Sequence, residues 1–270
     1  VNVGILAAAL LGPVVLLAHG GTGWRPAWMY FGLAAIVTGA VGAAALRERT
    51  SRPEDPREHP AQGSGRARPN WSGVFRNQAM LRLTAAYFCH GFFAVYAVFL
   101  ITYASRGLGY STEFAVGLWS FASFVAIPTL LLWGFLADVW GRKETLIPCA
   151  AVLCLGILLP VFRHDPAGLW VSAFLFGVAY VGPMTIITVI ASDLVGPNMA
   201  AAAMGLVTMG HGLGQAVGPA MAGFLIDVTG SFYPGFLMGS AAIVVEIAII
   251  ATLPLARVGR GLRAKPGQQP

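Results

Sequence analysis

Three ionisable side chains stand inside long apolar runs. His90 lies in L-T-A-A-Y-F-C-H-G-F-F, His211 in T-M-G-H-G-L-G-Q, and Glu246 in A-A-I-V-V-E-I-A-I-I. An imidazole gains or loses a proton near neutral pH, and in hydrocarbon it is costly unless paired or wetted. A carboxylate at that depth must be protonated, paired or facing water. Glu246 is therefore a candidate for proton coupling; the alternative is a plain hydrogen bond between helices. At helical spacing Tyr87, His90 and Ala94 share one face, with Tyr96 farther along. Thr208, His211 and Gln215 share another, at i, i+3 and i+7. On the same run Gly210, Gly214, Gly218 and Ala222 recur every four residues, a smooth ridge for close helix packing. One small face and one polar face suit a wall between a packed neighbour and a watery cavity. The competing reading has His211 and Gln215 bonding between helices and a neutral His90 bonding a backbone carbonyl. Tyr180, Thr185 and Thr188 offer polar groups on a further run, where Pro183 would interrupt the helix and permit a hinge. Trp119 and Trp133 read as packing or interface residues.

The elements that carry these residues must lie in a bilayer. The chain is 57% hydrophobic and 10% charged, with a mean hydropathy of +0.72, whereas soluble domains carry about a quarter charged residues. Apolar runs of helix-spanning length fall at about 2–19, 26–46, 79–103, 114–137, 145–162, 168–192, 200–226 and 233–255. The expected fold is all-α: a polytopic membrane bundle with eight transmembrane helices in this chain. With the N-terminus inside, 14 Lys and Arg fall on the cytoplasmic side and 3 (Arg25, Arg106, Arg163) outside. The positive-inside rule then puts both ends in the cytoplasm. Residues 47–78 are polar, Pro/Gly-rich and mixed in charge, as in a linker. The basic residues form no soluble patch interleaved with aromatics, so nucleic acid is not an expected partner. Cys89, Cys149 and Cys154 lack metal spacing. No HExxH, GxSxG or P-loop is present, so no enzyme, metal or cofactor is expected.

Charge is concentrated at one place between spans. Residues 133–145 read W-G-F-L-A-D-V-W-G-R-K-E-T. Gly134 would let a backbone approach and Gly141 permits a tight turn. Arg142 and Lys143 anchor that turn, and Asp138 could face the N-terminus of another helix, where the dipole favours negative charge. Gly134, Asp138, Gly141, Arg142 and Lys143 resemble the loop signature of the major facilitator superfamily (MFS), which recurs between the second and third helices of each six-helix half. Val139 and Glu144 stand where that signature often has basic residues. The turn Gly23–Met29 is similar to the outer turn between the fifth and sixth helices of many members. A weak repeat agrees: Ala8-x-x-x-Gly12-Pro13 recurs as Gly214-x-x-x-Gly218-Pro219.

The resemblance implies an organisation. Residues 1–46 would be the last two helices of the N-terminal half, 47–78 the linker, 79–256 the six-helix C-terminal half and 257–270 a basic tail. Four N-terminal helices of the same protein would be missing. It implies a secondary transporter working by alternating access, with the charged turn as a conformational hinge. Tyr87, His90, Tyr96, Tyr180, Thr208, His211 and Gln215 would face the substrate cavity; Gly12, Pro13, Gly210, Gly214, Gly218 and Pro219 would serve helix packing. The expected partners are a small-molecule substrate, a proton or another coupling ion, and the lipid of a bacterial inner membrane. The run from Gly210 to Phe232 resembles organic-anion and uptake-type members. Drug or cation efflux by proton antiport is the alternative, ahead of a channel, receptor or membrane enzyme. In the superfamily the last helix, which here would hold Glu246, packs on the outside of the bundle.

Overall fold

The computed structural model describes residues 24–45, 75–196 and 199–254, and every regular element among them is a helix. Lipid offers backbone groups no hydrogen bonds, so a chain this apolar must satisfy them internally. Helix α1 is Trp24–Ala45. Helix α2 (Gln78–His90) runs through a 3-10 turn (Gly91–Phe93) into α3 (Ala94–Thr102) and a π turn (Tyr103–Gly107). Then follow α4 (Thr112–Trp140), α5 (Arg142–Phe162), α6 (Pro166–Ala179), α7 (Gly182–Val195), α8 (Ala200–Thr229) and α9 (Tyr233–Ala251). Joining α2 to α3 and α6 to α7 leaves seven rods among the described residues, where the sequence predicts eight spans.

The first expected span, with Gly12 and Pro13, lies outside the described residues. So do residues 47–74 of the expected linker and the basic tail. Five rods are long and apolar enough to cross a membrane: 78–107, 112–140, 142–162, 166–195 and 233–251. Helix α1 supplies a shorter apolar stretch, Trp28–Gly42. Helix α8 is long enough at 30 residues, but its glycines, Thr208, His211 and Gln215 dilute its hydropathy.

Contacts divide the chain into two units, one around residues 3–69 and one over 70–270. In the first, Thr38 Oγ1 donates to the Ala34 carbonyl, a polar side chain satisfied within its own helix α1. In the second, α5 packs on α6 and α9, α2 packs on α8 and α9, and α4 packs on α6. Leu83, Tyr96, Leu118, Leu153, Phe176 and Phe236 are buried between them, while Phe124, Leu131 and Phe135 of α4 stay exposed, as suits a lipid-facing side.

The tightest packing is between α2 and α8. A Cβ on Gly214 would run into the Phe88 carbonyl oxygen, and one on Gly91 would sit 2.6 Å from that of His211. Only a pair of glycines allows backbones this close. Proline sets a second constraint, because it leaves the carbonyl four residues before it without its helical donor. Pro160 frees the Gly156 carbonyl, which accepts Ser172 Oγ from α6 at 2.8 Å. Ser172 in turn is 2.7 Å from the Tyr96 hydroxyl, so one hydroxyl pair ties three rods together.

Gly214→Val should lower stability by about 2–4 kcal/mol, because backbone rather than a flexible side chain blocks the new methyl groups. Gly212→Ala, with nothing within 4 Å, should leave the melting temperature of the purified protein unchanged or slightly higher. Thermal unfolding of both variants in detergent checks this.

Candidate functional site

The glycine crossing puts the imidazole of α8 against α2. His211 stacks on Tyr87 with ring centroids 4.2 Å apart and planes 9° from parallel. Its Nδ1 donates to the Tyr87 carbonyl at 3.4 Å. On its other side it lies 5.5 Å from the ring of His90 and 5.8 Å from that of Phe93. His90 Nδ1 then hydrogen-bonds with Glu246 Oε2 of α9 at 3.1 Å, with both side chains 0% exposed. Three helices thus contribute one row: His211, His90, Glu246. The outer atoms of the pair, His90 Nε2 and Glu246 Oε1, are buried and have no hydrogen-bond partner among the described residues.

The other candidates divide into buried and exposed groups. Thr208 and Gln215 are exposed on α8, beside the buried His211. Tyr87 and Tyr180 are buried; the Tyr180 ring stacks on Phe176 at 5.0 Å and its hydroxyl has no partner among the described residues. Tyr96 differs from the expectation of a cavity residue: it is 0% exposed, stacked on Phe176 at 4.3 Å and bonded to Ser172. A hydroxyl committed to an interhelix bond in a closed core works as a clasp. Thr185 and Thr188 donate to carbonyls of their own rod.

At the charged turn, Gly141 takes φ +106°, a conformation that side chains disfavour, and this ends α4 one residue before α5 begins. Arg142 pairs with Asp193 near the end of α7. Lys143 Nζ donates to the carbonyls of Ala251 at 2.6 Å and Leu253 at 2.9 Å, at the C-terminus of α9. Those carbonyls have no helical donor and lie at the negative end of the dipole, so a cation suits them. Arg82 reaches the Thr252 carbonyl at 3.5 Å. The turn therefore fastens α5 to α7 and α9. Two expectations need correction. Asp138 is exposed and makes no hydrogen bond among the described residues; the acidic partner at this end is Asp193. Nothing described lies within 4 Å of a Cβ on Gly134, because it stands on a side of α4 that meets no other described helix.

Sequence reasoning missed the role of Trp133. The rod of α6 and α7 breaks at Tyr180–Val181, just before Gly182 and Pro183. The carbonyls left there find donors on other helices: Trp133 Nε1 donates to Val178 at 2.6 Å and Cys149 Sγ to Ala179 at 3.4 Å. Pro183 signals the break; an indole 45 residues away in sequence carries no such signal. At the opposite end of the bundle Arg163 holds Asp165, the N-cap of α6, through bonds of 2.8 and 3.1 Å. This pairing pulls the Asp165 carboxyl down to about 2. Its contribution to stability is present above the ordinary carboxylate range and is lost as pH falls toward that value.

Among the described residues no group of three or more His, Cys, Asp or Glu could hold a metal ion. Apolar spans with an outward apolar face and inward polar groups define an integral membrane protein of the all-helical class. A family model described as "Uncharacterised MFS-type transporter YbfB" matches residues 1–251, and the chain belongs to this family, one of transporters and not of enzymes. Monocarboxylate transporter 12 of Rattus norvegicus is 29% identical over 182 residues, covering 65% of this chain and 36% of that protein. The uncharacterised MFS-type transporter YybF of Bacillus subtilis is 26% identical over 187 residues, 65% and 45% of the two chains. Monocarboxylate transporter 4 of Gallus gallus is 24% identical over 241 residues, 85% and 49%. The chain thus spans about half or less of the length of these curated relatives.

Trp133→Phe keeps an aromatic ring but removes the donor to the Val178 carbonyl. It should cost about 1–3 kcal/mol, the penalty for orphaning a buried acceptor, read as a lower melting temperature of the purified protein. Trp119→Phe, a matched change without that bond, should cost less.

Proposed function

We propose that the complete protein is a secondary transporter that moves a small organic anion, of the monocarboxylate class, across a cell membrane by alternating access. The observation that carries this reading is the family match over residues 1–251, together with relatives named for monocarboxylate transport. The site supports it in kind. Residues 79–256 act as one half of the carrier and residues 1–46 as part of the other, joined by the cytoplasmic linker. Thr208 and Gln215 on the exposed side of α8 serve as donors toward a solute, with His211 behind them. No fixed positive charge is needed in this half, since the Thr208 hydroxyl and the Gln215 amide can hold a carboxylate. The turn at Gly141–Lys143 latches the ends of α5, α7 and α9 in one end state and releases them in the other. Both ends of the chain lie in the cytoplasm, and the membrane is a bacterial inner membrane.

Uptake by the complete protein in liposomes is the test. Radiolabelled lactate should enter saturably, with pyruvate competing. Gln215→Leu should raise the half-saturation concentration by about tenfold, the loss of one hydrogen bond to a charged group. Movement of a lipophilic cation with no movement of any carboxylate would replace this reading with efflux.

A further inference from the structure

We infer that His90 and Glu246 together form a proton-binding site, reached through His211, that takes up or releases its proton only when α2 and α9 part to admit water. The argument begins with the geometry: a single bond of 3.1 Å between two fully buried ionisable groups from different helices. Held with one proton, the pair is net neutral, whether it is imidazolium and carboxylate or imidazole and carboxylic acid. Without that proton one negative charge remains at the depth of the spans. The titratable groups that face the pair are Tyr87 and Cys89 of α2, Cys149 and Cys154 of α5, and His211 of α8. None carries a fixed positive charge that could neutralise a bare carboxylate. An uncompensated charge in such surroundings is costly enough that the group changes protonation instead. The closed arrangement therefore holds one proton, and losing it demands solvent.

Two further features give that proton a way out and a moving part. His211 lies 5.5 Å from His90 on a nearly parallel ring and neighbours the exposed Thr208 and Gln215 on α8. An imidazole can accept at one nitrogen and donate at the other, so once water enters beside the rings it can pass a proton between the exposed side and the pair. Immediately after His90 the α-helical pattern gives way to the 3-10 turn Gly91–Phe93, and such a mid-helix change marks a hinge. Bending there would move α3, and with it the helix α9 that packs on it, relative to His90 at the end of α2.

The proposal deepens the transporter reading by naming its coupling ion, and its test separates the two. The complete protein, reconstituted in liposomes without substrate, is titrated by infrared difference spectroscopy. The carboxyl or imidazole bands of the pair should change with pH as it gives up its proton. That change should be absent in Glu246→Gln, should return with a displaced midpoint in Glu246→Asp, and should shift by about one pH unit or more in His90→Asn. Identical titrations in the wild type and Glu246→Gln, or no shift in His90→Asn, would overturn the assignment. In parallel, lactate uptake is driven by an imposed pH gradient. Glu246→Gln should lose accumulation at least about tenfold, and accumulation equal to wild type would also overturn the proposal. Wild-type protein that moves no lactate at all would sink the monocarboxylate reading while the infrared titration still decides the proton site.

Discussion

The approach of α2 and α8 at Gly91 and Gly214 is the constraint on which the rest of the second unit depends. Without side chains at these two positions the backbones come close enough for the rings of Tyr87, His90 and His211 to stack across the gap. A wider crossing would leave two imidazoles separated in hydrocarbon, each needing its own partner. The small residues and the ionisable residues are thus two parts of one solution: glycine provides the proximity that makes a polar interior affordable. Helix α9 completes it, since Glu246 reaches His90 from the side of α2 that α8 does not cover.

The same solvent dictates how the helices are allowed to break. Proline and glycine interrupt several spans, and each interruption frees a carbonyl that water cannot reach. Ser172 supplies the donor for Gly156, Trp133 for Val178 and Cys149 for Ala179. These donors all come from a different helix than the carbonyl they serve, apart from the local threonine bonds within α7. The breaks therefore also cement the bundle, because each irregular point in one rod is bonded to a neighbour. Removing the donor would weaken two elements at once.

Much of this architecture is legible in the sequence. Apolar runs locate the described rods to within a few residues, and differences fall where chemistry other than hydropathy sets the end. The apolar run of α4 stops at Ala137, but the helix continues to Trp140, where the backbone of Gly141 ends it. Helix α5 begins at Arg142 because a charged first turn at a membrane edge is as helical as an apolar one. Partners are less legible. The apolar setting of Glu246 says that it needs one, yet nothing in its spacing points to His90, 156 residues earlier. At the charged turn, the motif draws attention to Asp138, while Arg142 turns to Asp193 on another helix. Tyr96 has a spacing compatible with a polar wall, and only packing reveals that Ser172 claims its hydroxyl. Periodicity describes one helix at a time; which faces meet is a property of the assembled bundle.

The grip of Lys143 on the last carbonyls of α9 has a geometric consequence. Ala251 lies five residues beyond Glu246, about 7.5 Å along a helix that rises about 1.5 Å per residue. Because α9 is a continuous helix from Tyr233 to Ala251, fixing its end also fixes the height of the carboxylate opposite His90. A slide by one residue would stretch a 3.1 Å contact beyond hydrogen-bonding range. The anchor at the membrane edge and the buried pair thus share one ruler. Its zero is set by two backbone oxygens, and its reading is taken at an imidazole.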